Sequence, residues 1–127
     1  VYDMTAILGR ILIYTKKVEE MVDFYTGLFG FEAHCEEGDR LVELRHPDTE
    51  FALLLHPASK GQKEGQSLIK LVFDVRDVAG FCREAEAKGI AFGPLHHADG
   101  YVFANAKDPS KNSVSVSSRV YRDDGGV

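Results

Sequence analysis

The order of predicted secondary-structure elements occurs twice along this chain, and that duplication limits the folds open to it. Residues 10–15 (RILIYT) form an apolar run typical of a strand, and apolar residues follow at helical spacing over 18–29. Three further strands are predicted at 31–36, 40–45 and 50–56, separated by turn-forming residues. The first half is therefore predicted to be β-α-β-β-β.

The same order begins again after a polar loop, PASKGQKEGQS. The segment LIKLVFDV predicts a strand, and Asp77 can cap a helix that Gly89 ends. Three strands are predicted after that helix, at 90–95, 101–107 and 112–119, with turns at HHADG and DPSKN. The two halves are offset by about sixty residues, which indicates an internal repeat.

A duplicated unit of this kind predicts an α+β protein. Each four-stranded sheet can hide one face under its helix, and its second face must pack elsewhere. We expect one domain over 1–127, in which modules at about 10–56 and 68–118 form a curved mixed sheet around a cleft. Such a cleft suits a small molecule.

Composition excludes several classes of partner. The formal net charge is −5 and the basic residues are scattered, so no stripe of Lys and Arg is available for nucleic acid. No apolar run is long enough for a membrane span, and no secretory signal is evident, so we expect a cytoplasmic protein. Cys35 and Cys82 are predicted to be reduced, partly buried thiols, in a strand and on a helix, rather than a disulfide or a nucleophile.

Three segments in this order resemble the vicinal oxygen chelate superfamily, which covers glyoxalase I, extradiol dioxygenases, methylmalonyl-CoA epimerase and bleomycin-resistance proteins. VEEMVDFYTGLFGFE is similar to the DFYxxxLGF first helix of that family, FALLLHP to its pattern before the loop, and AKDPSKNSVSV to its DPDGNxxEL ending. The resemblance implies the glyoxalase/bleomycin resistance fold and a homodimer. It implies no single chemistry, because the superfamily carries many on one scaffold.

The resemblance also implies four positions at which metal-dependent members carry His, Glu or Gln ligands. In this chain those positions are Arg10, Leu53, Lys70 and Ser115. Arginine and lysine are cations that offer only donors, and leucine has no lone pair. We therefore expect no metal ion and no cofactor at the usual site.

Alternation along the strands predicts which side chains face the cleft. Arg10, Leu12 and Tyr14 share one face of the first strand; Phe51, Leu53 and Leu55 would add an apolar wall. In the second half, Lys70, Val72 and Asp74 face the same way as the serines of SVSVS. The predicted ligand-binding residues are Arg10, Tyr14, Leu53, Lys70, Asp74, Ser113 and Ser115.

Arg10 and Lys70 occupy equivalent positions in the two halves of the repeat, so we expect them to lie close together. Together they would form a site for a carboxylate, phosphate or enolate. The competing interpretation is that Arg10 pairs with Asp74 or Glu43, and that Lys70 reaches solvent. Glu43 is also the one well-placed carboxylate for general-base work, although no activating partner is visible.

Three functions remain open at this point. The first is a metal-free protein that binds an unidentified anionic or polar small molecule. The second is an enzyme: a metal-dependent lyase, epimerase or dioxygenase with non-standard ligands, or a metal-free enzyme using Lys70 as acid or base. The third is a scaffold without a ligand. A metal site elsewhere would have to draw on the five histidines, His34, His46, His56, His96 and His97.

Overall fold

A strand, a helix and three further strands follow one another in each half of the chain, as the repeat predicts. The computed structural model describes residues 5–122. It divides into two compact units, of which the first ends at Glu64 and the second begins at Gly65. Each unit has one helix and its own four-stranded mixed sheet, so the α+β fold class is confirmed. That both units form one domain around a cleft stays a prediction.

In the first unit, the first strand pairs with the last. The elements are β1 (Arg10–Thr15), α1 (Val18–Phe29), β2 (Glu32–His34), β3 (Val42–Arg45) and β4 (Ala52–Pro57). The strand order is β1-β4-β3-β2, with β1 parallel to β4 and the other pairs antiparallel. One edge of the sheet is therefore formed by the pairing of β1 with β4, which lie far apart in sequence.

Helix α1 covers one face of this sheet. Its buried residues Met21, Tyr25 and Leu28 recur at helical spacing and form much of the core with Leu44. The helix ends at Gly30, which has φ 80° and donates its backbone N–H to the carbonyl oxygen of Tyr25. Glycine adopts this left-handed conformation without steric cost, so the predicted helix end is confirmed.

The second unit repeats the topology. Its elements are β5 (Lys70–Asp74), α2 (Val78–Ala87), β6 (His96–Ala98), β7 (Tyr101–Lys107) and β8 (Ser113–Ser117), followed by a short 3-10 helix (Arg119–Tyr121). The strand order is β5-β8-β7-β6, and β5 lies parallel to β8. The carboxylate of Asp77 accepts a hydrogen bond from the backbone N–H of Gly80 at 3.0 Å, which confirms the predicted helix cap.

The predicted strand at 90–95 is wrong, and the sixth strand begins later. Pro94 has no N–H with which to pair with a neighbouring strand. The N–H of Gly93 donates to the carbonyl oxygen of Asn105 at 2.8 Å, and this is an isolated contact outside a strand. His96–Ala98, predicted as part of a turn, pairs with β7. The turn itself is confined to the two residues before Tyr101, where Gly100 has φ 81°.

The segment DPSKN builds the turn that begins β8. The carboxylate of Asp108, which is 4% exposed, accepts hydrogen bonds from the backbone N–H groups of Ser110 and Asn112, each at 2.9 Å. Lys111 adopts φ 68°, at the place where the family pattern DPDGN has glycine. This part of the family resemblance is therefore structural, because it fixes where the serine strand starts.

The pairing of β1 with β4 corrects the predicted place of Leu53. Leu53 lies opposite Ile11 and Leu44, on the face under α1, and is 2% exposed. The side chains on the other face of β4 are Leu54 and His56. Alignment on the letters LLHP therefore assigned Leu53 to the wrong face of β4. A shift by one residue moves every side chain of a strand to the opposite face.

We expect Leu53→Ala to lower the free energy of unfolding by about 2–5 kcal/mol, because it leaves a cavity beneath α1. The matched control Leu54→Ala removes the same atoms from the opposite face, where the side chain is half-buried, and should cost about 1 kcal/mol. Urea unfolding followed by circular dichroism measures both. Equal losses for the two variants would contradict the pairing register.

Candidate functional site

The face of each sheet turned away from its helix carries the polar side chains. We call these the first open face and the second open face. The first open face follows from the register of β1 to β4, in which directly paired residues point to the same side. Its members are Arg10, Leu12, Tyr14, Glu32, His34, Glu43, Arg45, Ala52, Leu54 and His56.

Arg10 is held by a carboxylate of its own sheet. Its Nε lies 3.7 Å from Oε1 of Glu43, and Nη2 of Arg45 lies 3.5 Å from Oε2 of the same residue. The structure thus shows the predicted alternative in which Arg10 pairs with Glu43. The Arg10 side chain is 56% exposed, so this pair contributes little to stability. Two guanidinium groups share the carboxylate of Glu43, and Glu32 is the residue paired with Arg45 on the same face.

Tyr14 and His56 lie side by side on the first open face. Their ring centroids are 5.4 Å apart in an edge-on arrangement, and Tyr14 is 50% exposed. Nδ1 of His56 lies 2.8 Å from the carbonyl oxygen of Pro57. A carbonyl oxygen only accepts, so Nδ1 carries the proton and Nε2 of the neutral ring is an acceptor. The sequence predicted His56 only as a residue at a strand end. Alternation along β4, which puts His56 on the same face as Leu54, was the signal for its place on the first open face.

The second open face combines amines, hydroxyls and aromatic rings. The register of β5, β8 and β7 confirms that Lys70, Asp74 and the serines share one face. Its members are Lys70, Val72, Asp74, Ser113, Ser115, Ser117, Tyr101, Phe103, Asn105, Lys107 and, from β6, His96 and Ala98.

The inner serines of β8 are engaged within the sheet. Ser115 is 2% exposed and donates its hydroxyl to the carbonyl oxygen of Ala104 at 3.1 Å. Ser117 is 5% exposed and accepts the backbone N–H of Arg119 at 3.1 Å. A short side chain between taller neighbours is readily buried in this way. Of the two predicted serines, Ser113 is therefore the better placed for a ligand, because it is only half-buried.

Lys70 is exposed, and its ammonium group contacts side chains of β7. Its Nζ donates to Oδ1 of Asn105 at 2.9 Å and lies 5.8 Å from the centroid of the Phe103 ring. Lys70 is in β5 and Asn105 is in β7, with β8 between them. The aliphatic part of Lys70 therefore passes across the middle strand, at the level of Ser115.

Lys107 reaches the same strip of the sheet from the other side. Its Nζ donates to Oγ of Ser113 at 2.7 Å. Ser113 is paired with Lys70 on one side and with Lys107 on the other, so the three residues form one row across the sheet. Within residues 5–122, no carboxylate forms an ion pair with either amine. We call Lys70 and Lys107 the lysine pair; both ammonium groups have neutral partners.

Lys107 and Asn105 were missed by the sequence reasoning. The signal was present in YVFANAK, whose alternate residues Phe103, Asn105 and Lys107 share a face once β7 pairs with β8. No face had been assigned to that strand. That Arg10 and Lys70 lie together concerns both units and stays a prediction.

Aromatic side chains continue the second open face beyond the lysine pair. The rings of His96 and Phe103 are stacked, with centroids 5.0 Å apart and planes at 25°. The Tyr101 ring follows at 6.2 Å from Phe103, and its hydroxyl accepts from Arg119 at 3.1 Å. We call His96, Phe103 and Tyr101 the aromatic row. Cations lie over this row: Arg119 and Arg122 over the Tyr101 ring, and Lys70 over the Phe103 ring.

The four residues that the resemblance assigned as metal ligands do not form a site for a divalent cation. Arg10 is paired with Glu43, and Leu53 lies under α1. Lys70 and Ser115 both act as hydrogen-bond donors here. Across the part of the chain that the structure describes, no group of three or more His, Cys, Asp or Glu side chains could hold a metal ion. His46, for example, binds through Nε2 to the carbonyl oxygen of Phe29 at 3.1 Å.

Neither thiol belongs to the open faces. Both cysteines are free, as predicted, but Cys35 is exposed and follows the end of β2, so its predicted place in a strand is wrong. Cys82 lies on α2 and is half-buried, and burial raises the pKa of its thiol. A raised pKa lowers the thiolate fraction near neutral pH, which disfavours a nucleophilic role for Cys82.

Comparisons with known proteins agree with this architecture. A family model for the Glyoxalase/Bleomycin resistance protein/Dioxygenase superfamily matches residues 7–116, and the chain belongs to that superfamily. A search of curated proteins found no match. Among residues 5–122, no helix has the length and apolar composition that a membrane span requires.

Solved structures share the fold at low sequence identity. UcmS2 aligns with TM-score 0.77 and 18% identity over 91% of this chain and 99% of its own. TnmS3, an antibiotic binding protein from Streptomyces sp. CB03234, aligns with TM-score 0.75 and 17% identity over 91% and 97%. Lactoylglutathione lyase from Agrobacterium tumefaciens aligns with TM-score 0.68 and 19% identity over 91% and 95%. At this identity the comparison establishes the fold.

We expect the untagged protein to retain far less than one ion per chain after incubation with Zn²⁺ or Ni²⁺ and desalting. The reason is that positions 10, 53, 70 and 115 offer two cations, a buried alkyl group and an engaged hydroxyl. Elemental analysis measures the ratio, with the protein treated with EDTA as its control. One tightly held ion per chain would contradict the fit argued above.

We expect iodoacetamide to alkylate Cys35 faster than Cys82 at pH 8. Cys35 is exposed, whereas burial both shields Cys82 and raises its thiol pKa, so less of its reactive thiolate is present. Mass spectrometry of the two peptides against time gives both rates. Unfolding in urea should bring the rates together, and equal rates in the native protein would contradict the structure.

Proposed function

We propose that this chain binds a small anionic or polar molecule on its second open face, without a metal ion. The observation that carries the proposal is the lysine pair. Both ammonium groups lean over β8 onto the neutral acceptors Asn105 and Ser113, and neither forms an ion pair with a described carboxylate. Two like charges in one row repel each other, and an oxyanion between them would remove that cost.

The donors needed for such an anion are available. An ammonium group has three N–H donors, and the structure uses one of Lys70 and one of Lys107 for protein acceptors. The half-buried Ser113 is the residue between Lys70 and Lys107 in this row, and its hydroxyl accepts from Lys107. Arg10 and Tyr14, on the first open face, and Asp74 stay predicted contacts to the same molecule.

The relatives support a small-molecule role in two different ways. TnmS3 is described as an antibiotic binding protein, and the Agrobacterium tumefaciens protein as a lactoylglutathione lyase. We infer the binding function for this chain, because a metal-dependent lyase, epimerase or dioxygenase would need ligands that Arg10, Leu53, Lys70 and Ser115 do not offer. A homodimer and a cytoplasmic location remain part of the proposal.

The test is calorimetric titration with four probes: oxalate, malonate, benzoate and inorganic phosphate. Titrations run in EDTA at constant ionic strength. We expect at least one probe to bind, and Lys70→Gln and Lys107→Gln each to weaken it roughly ten- to hundredfold, the effect of losing one charge-assisted hydrogen bond. Lys63→Gln, an exposed lysine in the loop after β4, is the matched control and should leave the affinity unchanged.

Two results would overturn the proposal. One is that none of the four probes binds the wild-type protein. The other is that a probe binds with the same affinity to both lysine variants, or loses as much affinity in the control as in either of them. Binding that disappears in EDTA and returns with added metal would favour the metal-dependent alternative instead.

A further inference from the structure

We infer that the ligand of the second open face is a planar aromatic acid, with one carboxylate held by the lysine pair and its ring against Phe103. This inference rests on the proposed function and specifies its ligand. It draws on the position of the aromatic row, the distance from Lys70 to Phe103, and the place of Asp74.

The Phe103 ring is stacked on one side and has a cation over it, because the Nζ of Lys70 lies 5.8 Å from its centroid. On the β6 side its ring is stacked on His96, at 5.0 Å between centroids. On the β8 side its paired residue is Ser117, whose side chain is too short to stand against an aromatic ring. Val72, 56% exposed, lies beyond β8 on the same face. An apolar, flat group beside Phe103 would continue the stack and cover Val72.

The distance between amine and ring limits how the acid is built. Lys70 Nζ lies 5.8 Å from the Phe103 centroid. Offset-stacked rings have centroids roughly 4.5–7 Å apart. A ligand ring stacked on Phe103 would lie next to the Lys70 ammonium group, so a carboxylate bonded directly to that ring would be placed to accept from Lys70. Lys107 lies on the same face of β7, two rows beyond Phe103 and one beyond Asn105, and would approach that carboxylate from the end away from the ring.

Asp74 limits the number of acidic groups that the ligand can carry. It is exposed, it is paired with Ser117 in β8, and Phe103 lies on the other side of that serine. The carboxylate of Asp74 thus borders the place where the ring would lie, at the end away from the lysine pair. A second carboxylate on the far side of the ligand ring would be repelled there. The face therefore favours a monoacid over a diacid.

The test compares 2-naphthoate with three relatives by calorimetry on the full chain. The relatives are cyclohexanecarboxylate, which keeps the charge without an aromatic ring, 2-naphthylmethanol, which keeps the rings without the charge, and naphthalene-2,6-dicarboxylate. We expect 2-naphthoate to bind most tightly, by roughly tenfold over each of the others, because both the charge and the stacked ring contribute.

Three variants test whether Phe103 and Asp74 cause that preference. Phe103→Leu should weaken 2-naphthoate roughly three- to tenfold and leave cyclohexanecarboxylate unchanged, whereas Phe103→Tyr should retain the preference. Asp74→Asn should bring the diacid close to the monoacid. The thermal midpoint of each free variant, expected to match that of the wild type, shows that the fold is intact.

The outcomes separate this inference from the proposed function. If acids bind through the lysine pair with no aromatic preference, and Phe103→Leu changes nothing, the ligand class is wrong while the binding function stands. If the diacid binds as tightly as 2-naphthoate in the wild type, the argument from Asp74 is wrong. If no acid binds at all, both proposals fail.

Discussion

Parallel pairing between the first and last strand of each unit decides which side chains enter the core and which remain available for chemistry. In β1 and β4 this pairing buries Leu53 beside Ile11, and in β5 and β8 it sets Lys70 beside Ser113. Each pair joins segments about forty residues apart in sequence, so its register is a tertiary property. Each helix then covers one face of its sheet. The alternate residues of the same strands form the other face, which carries most of the polar side chains.

Most of the fold was predictable because its signals are local. Helix α1 has apolar residues at regular spacing and a glycine at its end, and the strands with alternating letters were located to within a few residues. The strand at His96–Ala98 was not, because its pairing with β7 outweighs the turn-like composition of HHADG. The family resemblance supplied the topology but chose the wrong face for Leu53.

The candidate site was predictable only in part. Alternation alone puts Lys70, Asp74 and Ser113 on one face, and the structure agrees. Lys70 bends over β8 to reach Asn105, and Lys107 approaches from the strand on the other side of β8. Both contacts depend on side-chain rotamers and on neighbouring residues in β7. A pattern of letters carries no such information. The hydroxyl of Ser115, predicted to face a ligand, is instead used to hold Ala104 of the adjacent strand.

Each half of the chain completes its own hydrogen-bonded sheet, and this independence has an evolutionary consequence. One sheet presents two arginines around a glutamate with a tyrosine and a histidine, whereas its counterpart presents amines and rings. Because the strands within residues 5–122 pair only inside their own sheet, substitution of exterior residues in one copy leaves the backbone pairing of the other unchanged. Duplication thus provides two surfaces that selection can retune separately, while the scaffold beneath them stays constant.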